Sequence, residues 1–271
     1  MIRIISILVG LFFSAALLWS FGNGAVSYIT EPPATTVESV FHKHPKEVEF
    51  ESDGAFGKFD NQQLQRGFKV YKEVCSACHA LKLVAFRDLK AIGYNDDEVK
   101  AIAKGFQVPH YNPATGEVAT KEGLPTDHFP PVMYGGQGSP PDLSLVTKAR
   151  HEGPAYVYSL LTGYAEQPAE LLKKFPDAKT PDGLHYNPYF ANLNLAMPAP
   201  LVSDDQVTYS DGTKATVDQM AKDVSAFLIW TAEPKLDKRK QTGWAVLGFL
   251  LFATVLAYMA YRNLWAGKKG H

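Results

Sequence analysis

The chain has only two cysteines among its 271 residues, Cys75 and Cys78, and His79 follows the second directly in the stretch Val74-Cys75-Ser76-Ala77-Cys78-His79. Four chemistries use closely spaced thiols. A redox dithiol of the thioredoxin kind follows a buried strand in a βαβ setting. Here the approach is a helical pattern instead, with Leu64, Phe68 and Tyr71 on one face and Arg66, Lys69, Lys72 and Glu73 on the other. A closed zinc site needs four ligands, commonly a second cysteine pair or a spaced histidine pair, and no second cysteine pair exists. A disulfide across so short a span closes a tiny loop and stabilises little. Two thiols spaced to meet the vinyl groups of a haem, with an imidazole next in line for the iron, use all three residues at once. The motif occurs once, so one covalently bound haem c is expected, with Cys75 and Cys78 as its attachment points and His79 as an axial iron ligand.

The sixth iron position decides whether such a haem carries electrons or opens to a substrate. Met259 falls in an apolar C-terminal run and Met220 on a helical stripe with Val224 and Phe227, where core roles are the better reading. Two candidates remain. Met197, in Leu-Asn-Leu-Ala-Met-Pro-Ala-Pro-Leu, is favoured: Pro198 and Pro200 fix the backbone, the flanks are apolar, and a thioether is a soft ligand that raises the potential relative to a second histidine. Met133, in Phe-Pro-Pro-Val-Met-Tyr-Gly-Gly, remains the competitor, its plainer role being a loop residue over the haem edge. His42, His44, His110, His128, His151 and His185 stand in polar or Pro-rich stretches and read as solvated.

The elements that must hold these residues are mainly helical. A helix over 61–73 runs into Cys75. A second starts at Asn95, a cap with Glu98 three residues on, and carries Val99, Ile102, Ala103 and Phe106 on one face until Gly105 and Pro109 end it. Pro154 opens a third, with Tyr156, Val157, Leu160 and Leu161 apolar and Gly163 as the stop. The last soluble helix spans 217–231, with Thr216 as cap, Gln219 completing a capping box, and Met220, Val224, Phe227 and Leu228 facing inward. Between them lie long Pro/Gly-rich loops over 109–142 and 164–200, and loops of that size normally cover something. One mainly α soluble domain over 28–240 is therefore expected, carrying long loop insertions.

Both ends are apolar. Residues 1–27 have the layout of a secretory signal, with Arg3 ahead of the apolar run Ile4–Phe21 and small residues at Gly22-Asn23-Gly24 and Ala25-Val26-Ser27, and retention as an anchor is the alternative. In the C-terminal segment 241–271, Trp244 to Leu264 holds 21 residues uncharged until Arg262, about 31 Å of helix against a hydrocarbon core of about 30 Å. Trp244, Tyr258, Tyr261 and Trp265 stand where interfacial aromatics belong. Lys235, Lys238, Arg239 and Lys240 flank one side and Arg262, Lys268 and Lys269 the other, so charge does not set the direction; export of the N-terminal region does. A single-pass protein of a bacterial inner membrane follows, its haem domain periplasmic and its tail, Arg262 to His271, cytoplasmic. With 27 basic and 28 acidic residues, the chain offers no basic field for nucleic acid.

From about Gly57 onward, one consistent series of motifs follows: Tyr71-Lys72-Glu73-Val74-Cys75-Ser76-Ala77-Cys78-His79, Pro140-Pro141-Asp142-Leu143-Ser144, Ala149-Arg150-His151, Ser159-Leu160-Leu161-Thr162-Gly163-Tyr164, Ala196-Met197-Pro198, and the anchor. In this the chain resembles the cytochrome c1 family. The resemblance implies a class I cytochrome c-like haem domain with long loop insertions and one C-terminal transmembrane helix. It also implies a role as the c-type subunit of ubiquinol:cytochrome c oxidoreductase, the bc1 complex, in a bacterial member. The partners implied are cytochrome b, the Rieske iron–sulfur protein as electron donor, cytochrome c as acceptor, and the lipid membrane. By the same resemblance His79 and Met197 match the axial ligands, Arg150 the arginine that meets a haem propionate, and Tyr71 and Tyr156 aromatic residues around the haem. Electron relay needs no bond chemistry from this subunit. The other reading is a membrane-anchored monohaem cytochrome serving a terminal oxidase, which would lack the Pro-Pro-Asp-Leu-Ser and Ala-Arg-His motifs. Two departures stand out: Gly135-Gly136-Gln137-Gly138 replaces an Asn-rich stretch of many relatives, and the extra cysteine pair of some bacterial members is missing.

Overall fold

A computed structural model describes residues 2–267 apart from 33, 112, 114, 115 and 137. Gln137, Lys268, Lys269 and His271, invoked above, lie outside the described residues. The chain separates into two compact units between His42 and Lys43. The first holds α1 (Ile2–Thr30) and the short α2 (Val37–Phe41), whose Thr36 and Ser39 cap each other's backbone groups. At 29 residues, α1 is about 44 Å long and runs unbroken through both small-residue stretches that suggest cleavage.

In the second unit, Asp60 caps α3 (Asn61–Val70) by accepting from the Gln62 N–H at 2.9 Å. Leu64 and Phe68 are buried as the periodicity requires, and so is Tyr71 just beyond the helix. A 3-10 helix over Phe86–Ile92, not foreseen, buries Phe86, Leu89 and Ile92. Next comes α4 (Asp96–Lys104), with the Asn95–Glu98 capping box in place. It stops two residues before Phe106, whose ring instead packs 5.3 Å from Phe86 and 5.2 Å from Phe129. The expected loop from residue 109 is partly a hairpin: β1 (Gln107–Tyr111) pairs antiparallel with β2 (Val118–Glu122). Pro109 hides this strand from sequence reading, yet a two-stranded ribbon has only edge strands, where the missing N–H is tolerated.

The chain continues through α5 (Val146–Ala149) and α6 (Gly153–Leu161), which has Pro154 in its first turn. The second long loop contains α7 (Ala169–Lys174) and a small pairing of β3 (His185–Tyr186) with β4 (Asn194–Leu195). Then α8 (Val217–Ala232) closes the core. Met220, Val224, Phe227 and Leu228 are all buried, as expected. The capping box is not formed: Thr216 accepts from the Gln219 N–H, but the Gln219 side chain donates to Asp223 Oδ1 at 2.8 Å instead of reaching back.

The principal packing is α3 against α8, and it has a glycine at the crossing. A Cβ on Gly67 would lie 2.0 Å from the Asp223 carbonyl oxygen and 2.7 Å from Phe227 Cβ. Gly67→Ala is therefore expected to cost about 1–3 kcal/mol through backbone displacement, read as a lower denaturant midpoint of the purified protein. A wild-type midpoint would mean that the crossing has slack. Beside it, Arg66 is not the outer-face charge that the helical pattern suggests: its Nε lies 2.9 Å from Asp223 Oδ2 and its Nη1 2.7 Å from Asp211.

Two residues after Pro234, α9 (Leu236–Trp265) begins inside the stretch expected to be soluble. Its 30 residues extend about 45 Å. The first turns are fastened to the domain: Asp237 accepts from the Phe59 N–H, and Lys240 donates to the Ser52 and Gly57 carbonyls at 2.6 and 3.1 Å. Thus two helices, α1 and α9, are long and apolar enough to cross a membrane.

Candidate functional site

Where α3 ends, the backbone widens into a π-turn over Tyr71–Cys75, and the Ser76 N–H donates to the Tyr71 carbonyl, five residues back, at 2.8 Å. One extra residue in a turn rotates everything after it by about 100° relative to a regular helix. Cys75 and Val74 thereby pack against the core, and the Cys78 and His79 N–H groups both donate to the Cys75 carbonyl, at 3.1 and 2.8 Å. Ser76, between the cysteines, donates from its hydroxyl to Lys72 O at 2.7 Å, which ties the motif to the preceding turn.

Both cysteines are free thiols. Burial, seconded by Cys78, pushes the Cys75 thiol up to about 12. Redox-active thiols are displaced the other way, toward the thiolate. Among the described residues no group of three or more His, Cys, Asp and Glu side chains is arranged for a metal ion. Two half-buried thiols three positions apart, directly before His79, are placed to suit a covalent attachment role.

The His79 ring is held by its Nδ1, 2.8 Å from the Pro141 carbonyl oxygen. A carbonyl only accepts, so the proton belongs on Nδ1 and Nε2 keeps its lone pair, the arrangement that a metal-ligating imidazole needs. The Pro-Pro-Asp-Leu-Ser motif now has a physical role, because it runs alongside residues 79–83 and pins them. The Leu143 N–H donates to Ala80 O at 2.9 Å, Asp142 Oδ2 accepts from the Lys82 N–H at 2.8 Å, and Ser144 Oγ accepts from the Leu83 N–H at 3.1 Å. From the other side, the buried Tyr71 hydroxyl donates to the His79 carbonyl at 3.0 Å. Burial raises that hydroxyl's pKa, so it stays a neutral donor.

Met197 is half-buried in the segment after β4. Three contacts hold this segment. Tyr164, next to the α6 stop at Gly163, donates its hydroxyl to the Met197 carbonyl at 3.0 Å. The buried Asn187 donates from Nδ2 to Leu160 O on α6 at 2.8 Å and from its N–H to Leu193 O, also at 2.8 Å, where Leu193 takes a left-handed φ of 65°. Finally, a Cβ on Gly138 would touch Ala196 Cβ at 3.5 Å, so the loop that carries Pro141 meets the loop that carries Met197. The other methionines differ: Met133 is 96% exposed, Met220 is sealed in the core and Met259 lies on α9.

Tyr156, on α6, pairs with the exposed Arg150, which opposes the upward shift that burial imposes on the tyrosine, and it interacts with Tyr164 next along. The structure thus groups Tyr71, Cys75, Cys78 and His79 on one segment, and Arg150, Tyr156, Tyr164 and Met197 around α6. Tyr164, Asn187 and the Pro141 carbonyl escaped the sequence reading. A tyrosine directly after a helix-stopping glycine was the available signal for the first. His42, His44, His110, His128, His151 and His185 are all exposed.

Comparison with known proteins bears on this arrangement. A family model described as the Cytochrome C1 family matches residues 50–268. Cytochrome c1 of Rhodospirillum rubrum is 42% identical over 233 residues, which cover 80% of this chain and 85% of that protein. Cytochrome c1 of Cereibacter sphaeroides is 42% identical over 265 residues, covering 84% of this chain and 89% of that one. A protein named cytochrome b/c1, from Bradyrhizobium diazoefficiens, is 41% identical over 236 residues, covering 79% of this chain and 34% of its own length.

Proposed function

The chain belongs to the cytochrome c1 family, and from that premise we propose that it takes electrons from the Rieske iron–sulfur protein and passes them to a cytochrome c. Members of this family are c-type haem proteins with one covalently bound haem, electron-transfer subunits of the bc1 complex. The residues present suit that group. Cys75 and Cys78 would form the two thioether bonds, His79 and Met197 would supply the axial donors, and Arg150 would face a propionate, with Tyr71 and Tyr156 alongside. When bound, the haem supplies a one-electron redox couple whose potential follows from its axial ligands and its burial.

The chain's own residues do the rest. The Pro141 carbonyl fixes the His79 tautomer, and this is the observation that carries the reading, since it leaves Nε2 as a donor of one defined orientation. Tyr71 and the Asp142–Ser144 contacts hold the His79 segment from both sides, while Tyr164 and Asn187 hold the Met197 segment on α6. Residues fixed in this way need little rearrangement between the two charge states. The core rings of Phe68, Phe129 and Phe227 around Tyr71 keep water from the inner side.

In this reading the haem domain lies in the periplasm of a bacterium, α1 serves as the export signal or a retained anchor, and α9 is the tether with its C-terminal end in the cytoplasm. Cytochrome b is the expected neighbour in the membrane, and the name of the Bradyrhizobium relative, which joins b and c1, agrees. Mild-detergent purification from native membranes tests the assignment: cytochrome b and an iron–sulfur protein should co-isolate in fixed ratio. Recovery as a free cytochrome, or together with a terminal oxidase alone, would overturn it in favour of a shuttle role.

A further inference from the structure

The loop between Phe50 and Phe59 is built rigidly and ends in an exposed aromatic ring. Phe50 is buried, and the Phe59 N–H is held by Asp237. Between them, Asp53 Oδ2 accepts from the Phe50 N–H at 2.8 Å, the Lys58 N–H donates to Glu51 O at 2.9 Å, and Gly54 supplies a left-handed φ of 67°. A Cβ on Gly57 would lie 1.9 Å from Asp53 O, so the two limbs of the loop close on each other where only glycine fits. At its tip Phe56 is 78% exposed.

That ring stacks on Trp244 of α9, with centroids 4.9 Å apart and planes 5° from parallel. The Trp244 indole N–H donates to Ala55 O at 3.3 Å, and one turn earlier Lys240 bonds the loop carbonyls of Ser52 and Gly57. Trp244 is the residue at which α9 changes character: Lys235, Lys238, Arg239 and Lys240 precede it, and no charged residue follows until Arg262. Val246, Leu247, Phe249, Leu250 and Leu251 just beyond it are all exposed side chains.

We propose that the Phe56 loop is a second membrane contact, a foot that seats the Phe56–Trp244 pair in the headgroup layer of the bilayer beside the tether. An indole with one polar edge belongs at that depth, whereas a phenyl ring has no polar handle to offset exposure to water. Phe56 continues the apolar surface of α9 at the level where that surface begins, and the exposed Lys58 and Lys238 stand on the same polar side for lipid phosphates. Because the loop is bonded to both the domain and α9, the foot also sets the angle at which the domain stands on its tether.

The test places the photoreactive residue p-benzoylphenylalanine at position 56 in exchange for Phe56, in the full chain in its native membrane, with the same residue at position 247 as a control on the bare face of α9. Illumination followed by mass spectrometry should give lipid adducts at both positions. Lipid adducts at 247 with none at 56, or an adduct at 56 to another polypeptide, would overturn the foot and leave the tether standing. An adduct at 247 to an integral membrane subunit would keep α9 as a span, whereas absence of adducts to lipid or membrane protein at both positions would overturn that reading and the foot with it. As a second variant, Phe56→Trp should show fluorescence quenching by lipids brominated near the headgroup in reconstituted vesicles, over and above the wild type; an unchanged quenching profile counts against the proposal.

Discussion

Met197→Leu is expected to lower the reduction potential by a sizeable part of the roughly 0.8 V range over which axial ligands act, and to open the iron to carbon monoxide. Leucine keeps the volume and apolar character of the side chain, so the segment that Tyr164 and Asn187 hold should stay in place while the sulfur donor is lost. With Met197 as the proposed sixth ligand, its loss would remove the preference that thioether ligation gives to the reduced iron. The reduced-minus-oxidised spectrum, a potentiometric titration and a carbon monoxide difference spectrum would read the change. Met133 is the internal control. It is almost wholly exposed, so Met133→Leu should leave all three measurements at wild-type values. If instead Met197→Leu is spectrally silent and Met133→Leu is not, the ligand assignment moves to the other loop.

Arg66→Ala is expected to be among the most damaging single changes away from the haem site. Asp223 is fully buried on α8, and its oxygens accept from Arg66 Nε at 2.9 Å, Gln219 Nε2 at 2.8 Å and Gln63 Nε2 at 3.2 Å. Removing the guanidinium leaves a carboxylate in the core with two neutral donors and no counter-charge, and breaking a buried pair in this way costs about 3–5 kcal/mol. The paired change Arg66→Met with Asp223→Leu removes both charges and should recover most of the loss, since buried pairs are often matched by apolar residues of similar size. Denaturant unfolding followed by circular dichroism separates the cases. If Arg66→Ala costs less than about 1 kcal/mol, Asp223 is finding water or protonating, and the pair is not what holds α3 to α8.

What was legible in the chain follows from how local each signal is. The inward stripes of α3 and α8 were readable because burial imposes a helical period, and the proposal for Cys75, Cys78 and His79 rests on the one fixed spacing that a covalent haem demands. Asn95 with Glu98 is a complete capping signature within four residues. Arg66 was misplaced because its partner is 157 positions away, although Asp223 itself, one turn from both Met220 and Phe227 on the inner side of α8, marks a face where an acid requires a partner. Gln219 illustrates the same point: the residue pattern of a capping box is present, but its amide is turned away to donate to the buried Asp223 carboxylate, and the Thr216 N–H donates to the Lys214 carbonyl instead. The π-turn leaves no trace in composition, since widening a turn by one residue changes only which carbonyl the Ser76 N–H reaches. Pro109 concealed a hairpin because an edge strand tolerates what a central strand does not.

The pairing of α3 with α8 also has a consequence in time. Val217, the first residue of α8, is made 142 positions after Cys75, which at 5–20 residues per second is on the order of ten seconds of synthesis. Contacts so distant in sequence also close late, because the chain entropy of a long loop is lost before they form. Throughout that interval the helix that packs Phe227 against Tyr71 does not yet exist. The Cys75 and Cys78 side chains, half-buried once the chain has folded, are therefore still open while the rest of it is being made, and the order of residues along the chain sets a window in which they can be modified before folding withdraws them.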